Sequence, residues 1–403
     1  MSKSLEGIRV IDMGRIVSAP WCGQALADLG ADVIKVERPG RGDDLRTYGP
    51  SFAHDRDGKP TPESGHYLCS NRNKRSVTVD IARPEGQELI RKLAASADVL
   101  IENYKVGDLK RYGLDYESLK AVNPNLIYCS ITGFGQSGPY ASQPGYDAVF
   151  QGMSGMMSVT GEPDGSPQRV GVFIIDEMTG LYAAVAILAA LRHRDNGGGG
   201  QYIDLALLDV AVAAMAPRTI EWLLDKQIPE RLGTKSPGSA PAQVFACADG
   251  FLNIQAGAEA DYRKLCDALG VPELKEDLRF AIRKDRVIHQ DVLIPLLEEK
   301  IRGWTVKDLS AELVARGVVA SPIYTADQVV ADQQVVHRGL HFDVPHPTVG
   351  TVPLVASPMR MSGTPVDHYR APPTLGQHTD DVLQGLLQLT PDEIEKLRQD
   401  AII

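Results

Sequence analysis

The chain has 403 residues, of which 43% are hydrophobic and 23% are charged, and its formal net charge is −10 at pH 7. This composition is typical of a folded globular protein and excludes a largely disordered one. The acidic balance and the absence of a Lys/Arg-rich run argue against a nucleic-acid partner. The length exceeds one ordinary hydrophobic core, so two domains are expected.

Signals for a membrane or an oxidising compartment are missing from the sequence. The opening MSKSLEGIRV lacks the apolar core of a signal peptide. The longest apolar run, residues 181–191, is shorter than a membrane-spanning helix requires. The five cysteines are scattered without a CxxC pair, which indicates free thiols in a reducing compartment. We therefore expect a cytoplasmic protein that has no membrane partner.

Strands and helices alternate over the first 200 residues. Predicted strands lie at 7–12, 31–37, 75–81, 98–104, 125–133, 172–175 and 201–209. Predicted helices lie at 18–30, 84–97 and from about Glu177 to His193. This alternation predicts an α/β fold whose large domain has a Rossmann-like, largely parallel sheet.

The composition changes after about Lys226, where residues 229–242 are rich in Pro, Gly and Ser. A loop-rich tail ends in a helix whose start, with Thr390 and Glu393, forms a capping box around Pro391. We therefore predict a large domain over 1–226, a smaller α+β domain over 227–325 and a C-terminal segment over 326–403 that returns to the large domain.

Two glycine-containing segments invite a nucleotide-binding interpretation, and both have the wrong pattern. The first strand–helix turn, MGRIVSAP, contains only Gly14, whereas a bound dinucleotide pyrophosphate requires several glycines. The GGGG run at 197–200 follows a helix and precedes a strand, which is the reverse of a phosphate-binding loop. We predict no dinucleotide site, and we interpret the GGGG run as a turn.

The histidines include one cluster, formed by His337, His341 and His346. Gly339 and Pro345 interrupt this cluster, and its spacing is not that of a pair of metal ligands on a helix. No metal site is predicted.

Asp176 lies between the predicted strand at 172–175 and the long apolar helix, where two roles are open. An aspartate at such a junction is a favourable N-cap, and local sequence alone favours that role. The position also lies at the carboxyl end of a predicted strand, where open α/β sheets bind ligands.

Basic residues cluster in three loops that flank strands of the predicted sheet. If these loops converge, they form a positive rim that suits the phosphate groups of a ligand. The clusters are Arg38, Arg41 and Arg46; Arg72, Lys74 and Arg75; and Lys105, Lys110 and Arg111.

Taken together, these segments resemble the family III coenzyme A transferases, the group of formyl-CoA transferase and carnitine CoA-transferase. LEGIRVIDMGRIVSAPWCGQALADLGADVIKVERPGRGD is similar to the family's opening. SNRNKRSVTVDI, DVLIENYKVGDLKRYGL and NPNLIYCSITGFGQSGPY follow in the family's order. IIDEMTGLYAAVAILAAL resembles the segment that carries the family's nucleophile.

The resemblance implies that Asp176 is the nucleophile that moves CoA from an acyl-CoA, such as succinyl-CoA, to a carboxylic acid. Mixed anhydrides and an aspartyl-CoA thioester would be the intermediates. A carboxylate suits this role because it is ionised at pH 7 without an activating base. Acyl-CoA would be a substrate, and no tightly bound cofactor is implied.

The resemblance also implies that CoA lies along the large domain. The site assigned to it comprises the backbone of Val17 and Ser18 together with Arg38, Arg72, Asn73, Lys74, Asn103, Tyr104, Lys105, Arg111, Thr132 and Tyr146. Each chemical step forms an oxyanion that needs N–H donors. The candidate donors are the helix N-terminus after Asp176, the loop at 133–138 and the side chain of Gln136.

Departures from the family pattern bear on the reaction. Val17 stands where formyl-CoA transferase has Gln, and Thr132 stands where it has Lys, which argues against formyl-CoA/oxalate specificity. The family also contains α-methylacyl-CoA racemases, but Tyr146 takes the place of their histidine. A tyrosine with a pKa of about 10 is a poor proton shuttle at neutral pH. A racemase or isomerase and a subunit of a heteromeric transferase remain the alternatives, and the resemblance implies an interlocked homodimer.

Overall fold

The structure is a computed structural model that describes residues 3–403. The chain forms two compact units. The first comprises the chain up to Met156, Val170–Ile220 and Val336–Ile403. The second comprises Met157–Arg169 and Glu221–Val335, so it includes a short segment that precedes residue 226.

Strands and helices alternate through most of the chain. The strands are β1 (Arg9–Asp12), β2 (Asp32–Glu37), β3 (Phe52–His54), β4 (Pro60–Ser64), β5 (Arg75–Thr78), β6 (Val99–Glu102), β7 (Ile127–Thr132), β8 (Tyr202–Ala206), β9 (Ala242–Ala246), β10 (Phe251–Gln255), β11 (Val319–Pro322), β12 (His341–His346) and β13 (Gly350–Val355). The helices are α1 (Ser18–Asp28), α2 (Gly65–Leu68), α3 (Pro84–Ala95), α4 (Tyr116–Lys120), α5 (Asp147–Met153), α6 (Met156–Val159), α7 (Ile174–Asp195), α8 (Leu207–Ala214), α9 (Ala216–Asp225), α10 (Glu259–Leu269), α11 (Glu273–Glu276), α12 (Arg283–Ile288), α13 (Gln290–Ile301), α14 (Val306–Ala315), α15 (Ala326–Ala331), α16 (Gln333–His337), α17 (Thr379–Leu387) and α18 (Pro391–Gln399).

The first unit is built on a six-stranded sheet in the order β5-β2-β1-β6-β7-β8, with every neighbouring pair parallel. The predicted α/β class with a parallel sheet is confirmed. The strand order runs outward in one direction from β1 and in the other from β6. The carboxyl ends of these two strands therefore form the switch point at which such sheets bind ligands.

Both faces of this sheet are covered, as the almost continuous apolar strands require. Side chains alternate along each strand, so Val10 of β1 packs in one core and Ile11 packs in the other. Helices α1, α7 and α8 contribute to the first core, and α3, α17 and α18 contribute to the second. The end of the chain therefore covers one face of the sheet.

The second unit carries a three-stranded antiparallel sheet in the order β11-β10-β9. Its own apolar core includes residues of these strands and of α10, α13 and α14. This arrangement agrees with the predicted smaller α+β part of the fold. Residues 326–355, predicted to be loop-rich, instead form α15, α16 and the β12–β13 hairpin.

The predicted strand at 172–175 is wrong, because α7 begins at Ile174. Ile175 instead belongs to the buried face of the helix, on which Thr179, Ala183 and Ile187 follow at intervals of four residues, close to the helical period. Helix α7 is long and apolar enough to span a membrane by length and composition, but half of its apolar window is buried within the protein. It is the central helix of a core.

The glycines at 197–200 form the predicted turn between α7 and β8. Gly197 has a φ of 90°, and a Cβ on Gly200 would lie 2.3 Å from the Leu126 carbonyl oxygen. The capping box at the start of α18 is also confirmed, since the Thr390 side chain accepts from the Glu393 N–H and the Glu393 side chain accepts from the Thr390 N–H.

Helices α1 and α7 touch through their backbones at Gly180. A Cβ at this position would lie 2.6 Å from the Ser18 carbonyl oxygen and 2.9 Å from the Trp21 Cβ. Any side chain here must therefore push the two helices apart. Glycine is less favourable than alanine inside a helix by about 1 kcal/mol, and the close contact explains its presence.

Gly180→Ala should lower the free energy of unfolding by about 1–3 kcal/mol, because overpacking outweighs the gain in helix propensity. Gly385→Ala is the matched control, since Gly385 lies in α17 with no atom within 4 Å of its Cβ position. The control should raise stability by up to about 1 kcal/mol. Chemical denaturation followed by circular dichroism measures both changes, and equal effects of the two substitutions would contradict the packing argument.

Candidate active site

The loop that follows β1 lies at the switch point and is held from several sides. The Asp12 carboxylate accepts from the Gly14 N–H at 2.9 Å, and Lys35 Nζ donates to the Gly14 carbonyl at 2.9 Å. Lys35 and Asp43 form a buried ion pair at 2.8 Å. Asp43 in turn accepts from the Ile16 N–H at 3.1 Å. Buried charges thus fix the backbone of this loop.

The loop after β6 completes the switch point through Asn103. Its side-chain oxygen accepts from the Arg15 N–H at 2.8 Å, and its side-chain N–H donates to the Arg15 carbonyl at 2.7 Å. Ile16, next in the chain, has a φ of 66°, which is a strained conformation for a β-branched residue. Strain of this kind persists only where surrounding contacts impose it, and it clusters at functional sites.

Asp176 lies in the first turn of α7, facing the N-terminus of α1. Its side chain is buried, with 8% of the residue exposed, and it accepts a hydrogen bond from the Ser18 side chain. The α1–α7 contact at Gly180, one helical turn away, brings these two residues together. Asp176 therefore reaches the carboxyl edge of the sheet through a helix, and not at the end of a strand.

The N-cap interpretation of Asp176 is wrong, because the helix begins two residues before it, with Phe173 as the N-cap. Asp147, at the start of α5, accepts from the Ile175 N–H at 2.8 Å and from the Asp176 N–H at 3.2 Å. A carboxylate from another helix therefore satisfies the first turn of α7.

The ionisation of Asp176 also differs from the sequence expectation. Burial raises the pKa of Asp176 to about 7, the neighbouring Asp147 carboxylate adds to the increase, and the Ser18 hydrogen bond opposes it. The carboxyl group is therefore only partly ionised at neutral pH. Raised carboxyl pKa values with a specific charged neighbour are typical of functional sites.

A cleft of about 200 Å³, here called the first cleft, opens beside Asp176. It is lined by residues from the loops after β1, β6 and β7 and from the segment at 141–146. The predicted site residues that line it with Asp176 are Ser18, Asn103, Tyr104, Lys105, Thr132 and Tyr146.

A second cleft of about 410 Å³ lies along the loops after β1, β2 and β6. The predicted residues Arg38 and Arg111 line it, together with Arg41. Arg15, Asp44 and Tyr104 line both clefts, which are therefore adjacent. Glu37, the acid that a dinucleotide ribose would require, is bound by the Arg46 guanidinium at 2.8 and 2.9 Å.

Arg72, Asn73 and Lys74 do not line either cleft. Arg72 and Asn73 both donate to the Asp28 carboxylate, and Lys74 Nζ donates to Asp12 at 2.8 Å. All three are buried and tie the start of β5 to α1 and β1. Their charge and amide groups thus serve the fold in this structure.

Val17 and Gln136 also lie outside the lining of the first cleft. The Val17 side chain packs in a small apolar cluster with Leu45 and Tyr67. The Gln136 side chain donates to Ser130 Oγ at 2.8 Å, and its backbone N–H donates to Asp204. The structure therefore does not bring the Gln136 amide to Asp176.

Sequence reasoning missed Arg15, Asp147 and Gly180. Arg15 lies in the MGRIVSAP turn and Asp147 follows Tyr146, so both were in segments already singled out. Gly180 interrupts an apolar helix, and an isolated helical glycine is a signal of close packing. Their partners lie far away in the chain, so only the fold reveals them. Across residues 3–403, no group of three His, Cys, Asp or Glu side chains is arranged to hold a metal ion.

Known proteins resemble this chain over nearly its whole length. A sequence model described as CoA-transferase family III matches residues 5–379. The succinate–glutarate CoA-transferase of Agrobacterium fabrum is 46% identical over 382 residues, which cover 95% of each chain. The succinyl-CoA:glutarate CoA-transferase of Mus musculus is 38% identical over 401 residues, covering 100% of this chain and 90% of the mouse chain. The crystal structure of a CAIB/BAIF family protein from Brucella suis matches with a TM-score of 0.87 at 44% identity, covering 96% of this chain and 100% of that one.

Asp176→Asn should stabilise the protein in a pH-dependent manner. The carboxyl ionises near pH 3.9 in the unfolded chain and near pH 7 in the fold, so its ionisation destabilises the fold above pH 4 and fully above pH 7. The variant should exceed the parent protein in stability by roughly 4 kcal/mol at most at pH 8, and by much less at pH 5. Thermal melts at both pH values test this, with exposed Asp164→Asn as the control. A stability difference that does not change with pH would contradict the assigned environment.

Proposed function

The chain belongs to CoA-transferase family III, and from that premise we propose that it moves CoA from succinyl-CoA to a dicarboxylic acid through covalent intermediates on Asp176. The observation that carries the proposal is a buried carboxylate that lines one of two adjacent clefts, the other of which is lined by Arg38, Arg41 and Arg111. A nucleophile at one end and cations at the other match a long thioester with phosphate groups.

Coenzyme A would occupy both clefts. Its phosphates would lie near Arg38, Arg41 and Arg111 of the second cleft, all of them exposed cations. Its thioester would reach Asp176 past Asn103 and Tyr104. Acyl-CoA is thus a substrate that exchanges, and the chemistry requires no tightly bound cofactor.

The ionised Asp176 carboxylate would attack the thioester carbonyl and expel the CoA thiolate, which leaves a mixed anhydride between Asp176 and the donor acid. The thiolate would then attack the aspartyl carbonyl and release the donor acid, which leaves an aspartyl-CoA thioester. An acceptor carboxylate would reverse these two steps and depart as the new acyl-CoA. The thioester energy is thereby retained in covalent intermediates.

The oxyanions in these steps need N–H donors near Asp176. The N–H groups of Ile175 and Asp176 are already donated to Asp147, so the first turn of α7 is occupied. Helix α1 starts at Ser18, beside Asp176, and no side chain caps its first turn. We assign the oxyanion donors to this end of α1, in place of Gln136.

A dicarboxylic acid suits the cations of the first cleft. Arg15 and Lys105 line the same cleft as Asp176, and both side chains are exposed. The Arg15 guanidinium lies 4.8 Å from the centre of the Tyr104 ring and 3.9 Å from the Asp44 carboxylate. It is thus held in place and can neutralise the carboxylate that does not react.

Asp176→Ala should reduce transfer from succinyl-CoA to glutarate by at least about 10³-fold while CoA still binds, because only the covalent step is lost. Mass spectrometry of glutaryl-CoA formation and titration calorimetry of CoA binding measure the two effects. Hydroxylamine added with succinyl-CoA should label Asp176 in the parent protein and in Glu177→Gln, the adjacent-acid control. Pentanoate, which matches glutarate in length but lacks the second carboxylate, should be a poor acceptor. Near-normal transfer by Asp176→Ala would overturn the proposal.

We further propose that the protein is a cytoplasmic homodimer, interlocked as its family resemblance implies. The packed helices α5, α7 and α8 expose apolar side chains that a second copy of the chain would cover. The five cysteines of the protein are free thiols, which supports a reducing compartment. The exposed apolar residues are Val149, Met153, Leu181, Tyr182, Val185 and Val212.

Light scattering should give a solution mass of twice the 43.7 kDa chain mass. Val185→Glu places a charge on this helical surface and should shift the population toward monomer. Val122→Glu alters an equally apolar residue that is exposed outside these helices, and it should leave the mass unchanged. A monomeric parent protein would rule out the dimer.

A further inference from the structure

Asp147 places a buried carboxylate against the peptide of the nucleophile. Its Oδ2 accepts from the N–H of Ile175 at 2.8 Å and from the N–H of Asp176 at 3.2 Å, and only 5% of the residue is exposed. The carboxylate therefore holds the backbone immediately before and at Asp176. Movement of Asp147 would move the nucleophile with it.

Gln151, one helical turn further along α5, fixes the orientation of Asp147. Its side-chain N–H donates to Asp147 Oδ1, and its side-chain oxygen accepts from the Val170 N–H at 2.8 Å. The residue is fully buried. Because Val170 supplies a donor, the amide nitrogen of Gln151 must face Asp147, and the pair joins α5 to the stretch from Val170 to Asp176.

This arrangement is electrostatically unfavourable for folding. No ion pair of Asp147 occurs within residues 3–403, and its carboxylate lies beside a second buried carboxyl group, Asp176. A neutral side chain at the N-cap position could satisfy the same helix end without adding a charge. The Asp147 charge therefore disfavours ionisation of Asp176, an effect that hydrogen bonding alone does not require.

Both acidic and basic groups surround Asp176. Asp147 faces it from α5, Glu177 is next to it on α7, and Ser18 faces it from α1. The cations Arg15 and Lys105 line the first cleft at the same site. Burial also raises the pKa of Glu177, and Asp147 adds to that increase.

We propose that Asp147 is the positioning residue of the nucleophile: its carboxylate, bonded to the N–H groups of Ile175 and Asp176, fixes the first turn of α7 and places a negative charge beside the attacking carboxyl group. This inference rests on the proposed transferase function. Nucleophilic strength within one chemical class rises with basicity, so the charge that weakens the fold assists the attack on the thioester.

In the half of the reaction that consumes the donor, the same charge directs the mixed anhydride toward aspartyl-CoA. The CoA thiolate can attack the aspartyl carbonyl and expel the donor carboxylate, or attack the donor carbonyl and expel the Asp176 carboxylate. The less basic carboxylate leaves more readily, and ordinary substrate carboxyl groups have a pKa of about 4.3. Because the pKa of Asp176 is raised to about 7, expulsion of the donor acid is favoured, and the aspartyl-CoA thioester forms.

The test separates charge from hydrogen bonding with the double variant Asp147→Asn/Gln151→Glu. The introduced amide still accepts from the α7 backbone, and the introduced carboxylate accepts from that amide and from the Val170 N–H. The hydrogen bonds are kept while the charge moves outward by one hydrogen bond, from the side chain that contacts the α7 backbone to the side chain behind it. Asp147→Asn alone removes the charge, but its amide N–H group then faces the amide N–H group of Gln151, so neither has an acceptor. Asp209→Asn, at an exposed position on α8, is the control.

Two readouts report on the proposal: the pH dependence of kcat/KM, and the fraction of enzyme trapped as aspartyl-CoA with labelled succinyl-CoA and no acceptor. In the double variant, the midpoint of the acid limb should fall by about one pH unit or more, and the trapped fraction should fall severalfold. A merely structural role would change thermal stability and move neither readout.

A double variant with an unchanged midpoint and trapped fraction would overturn the proposal. Should the variants fail to fold, the parent protein still decides: an acid-limb midpoint of kcat/KM below about pH 5.5 would also overturn it. If the parent protein transfers no CoA and Asp176 takes no label, the proposed function itself fails, which these measurements distinguish from failure of the role of Asp147.

Discussion

The backbone contact between α1 and α7 at Gly180 is the constraint on which the candidate site depends. Helix α1 begins at the carboxyl end of β1, at the switch point of the sheet, whereas α7 is formed by residues more than 150 positions later in the chain. The Ser18 side chain can hydrogen-bond to Asp176 only because no Cβ separates the two helices one turn away. A larger residue would move Asp176 away from the first cleft and from α1.

Buried charged groups in the first unit occur in two arrangements, as ion pairs beside the loop after β1 and as two acids at the start of α7. Buried ion pairs, such as those of Lys35 with Asp43 and of Lys74 with Asp12, hold the loop after β1 in a strained conformation. Asp147 and Asp176 form the opposite arrangement, two buried carboxyl groups side by side. Paired charges make the binding loop rigid, while the acidic pair weakens the fold and increases the basicity of Asp176.

Sequence reasoning succeeded where the pattern was local. The first strand–helix–strand unit, the α18 capping box and the glycine turn all depend on residues close together in the chain. It was wrong for 172–175, because a short apolar run suits a strand and a helix equally until its packing partner is known. The roles of Arg72 and Lys74 could not be predicted either, because their ion-pair partners, Asp28 and Asp12, lie far away in the sequence.

The sequence by itself determined the α/β class and marked Asp176 as the residue to examine, because strand–helix alternation and the order of motifs are properties of the linear chain. Only the tertiary structure decided the role of that residue. In the fold, Asp147 and not Asp176 accepts hydrogen bonds from the first turn of α7, and the Asp176 carboxyl group is buried beside Asp147. Ionisation and nucleophilicity depend on the groups that surround a carboxyl in space, and those groups come from segments that are distant in the sequence.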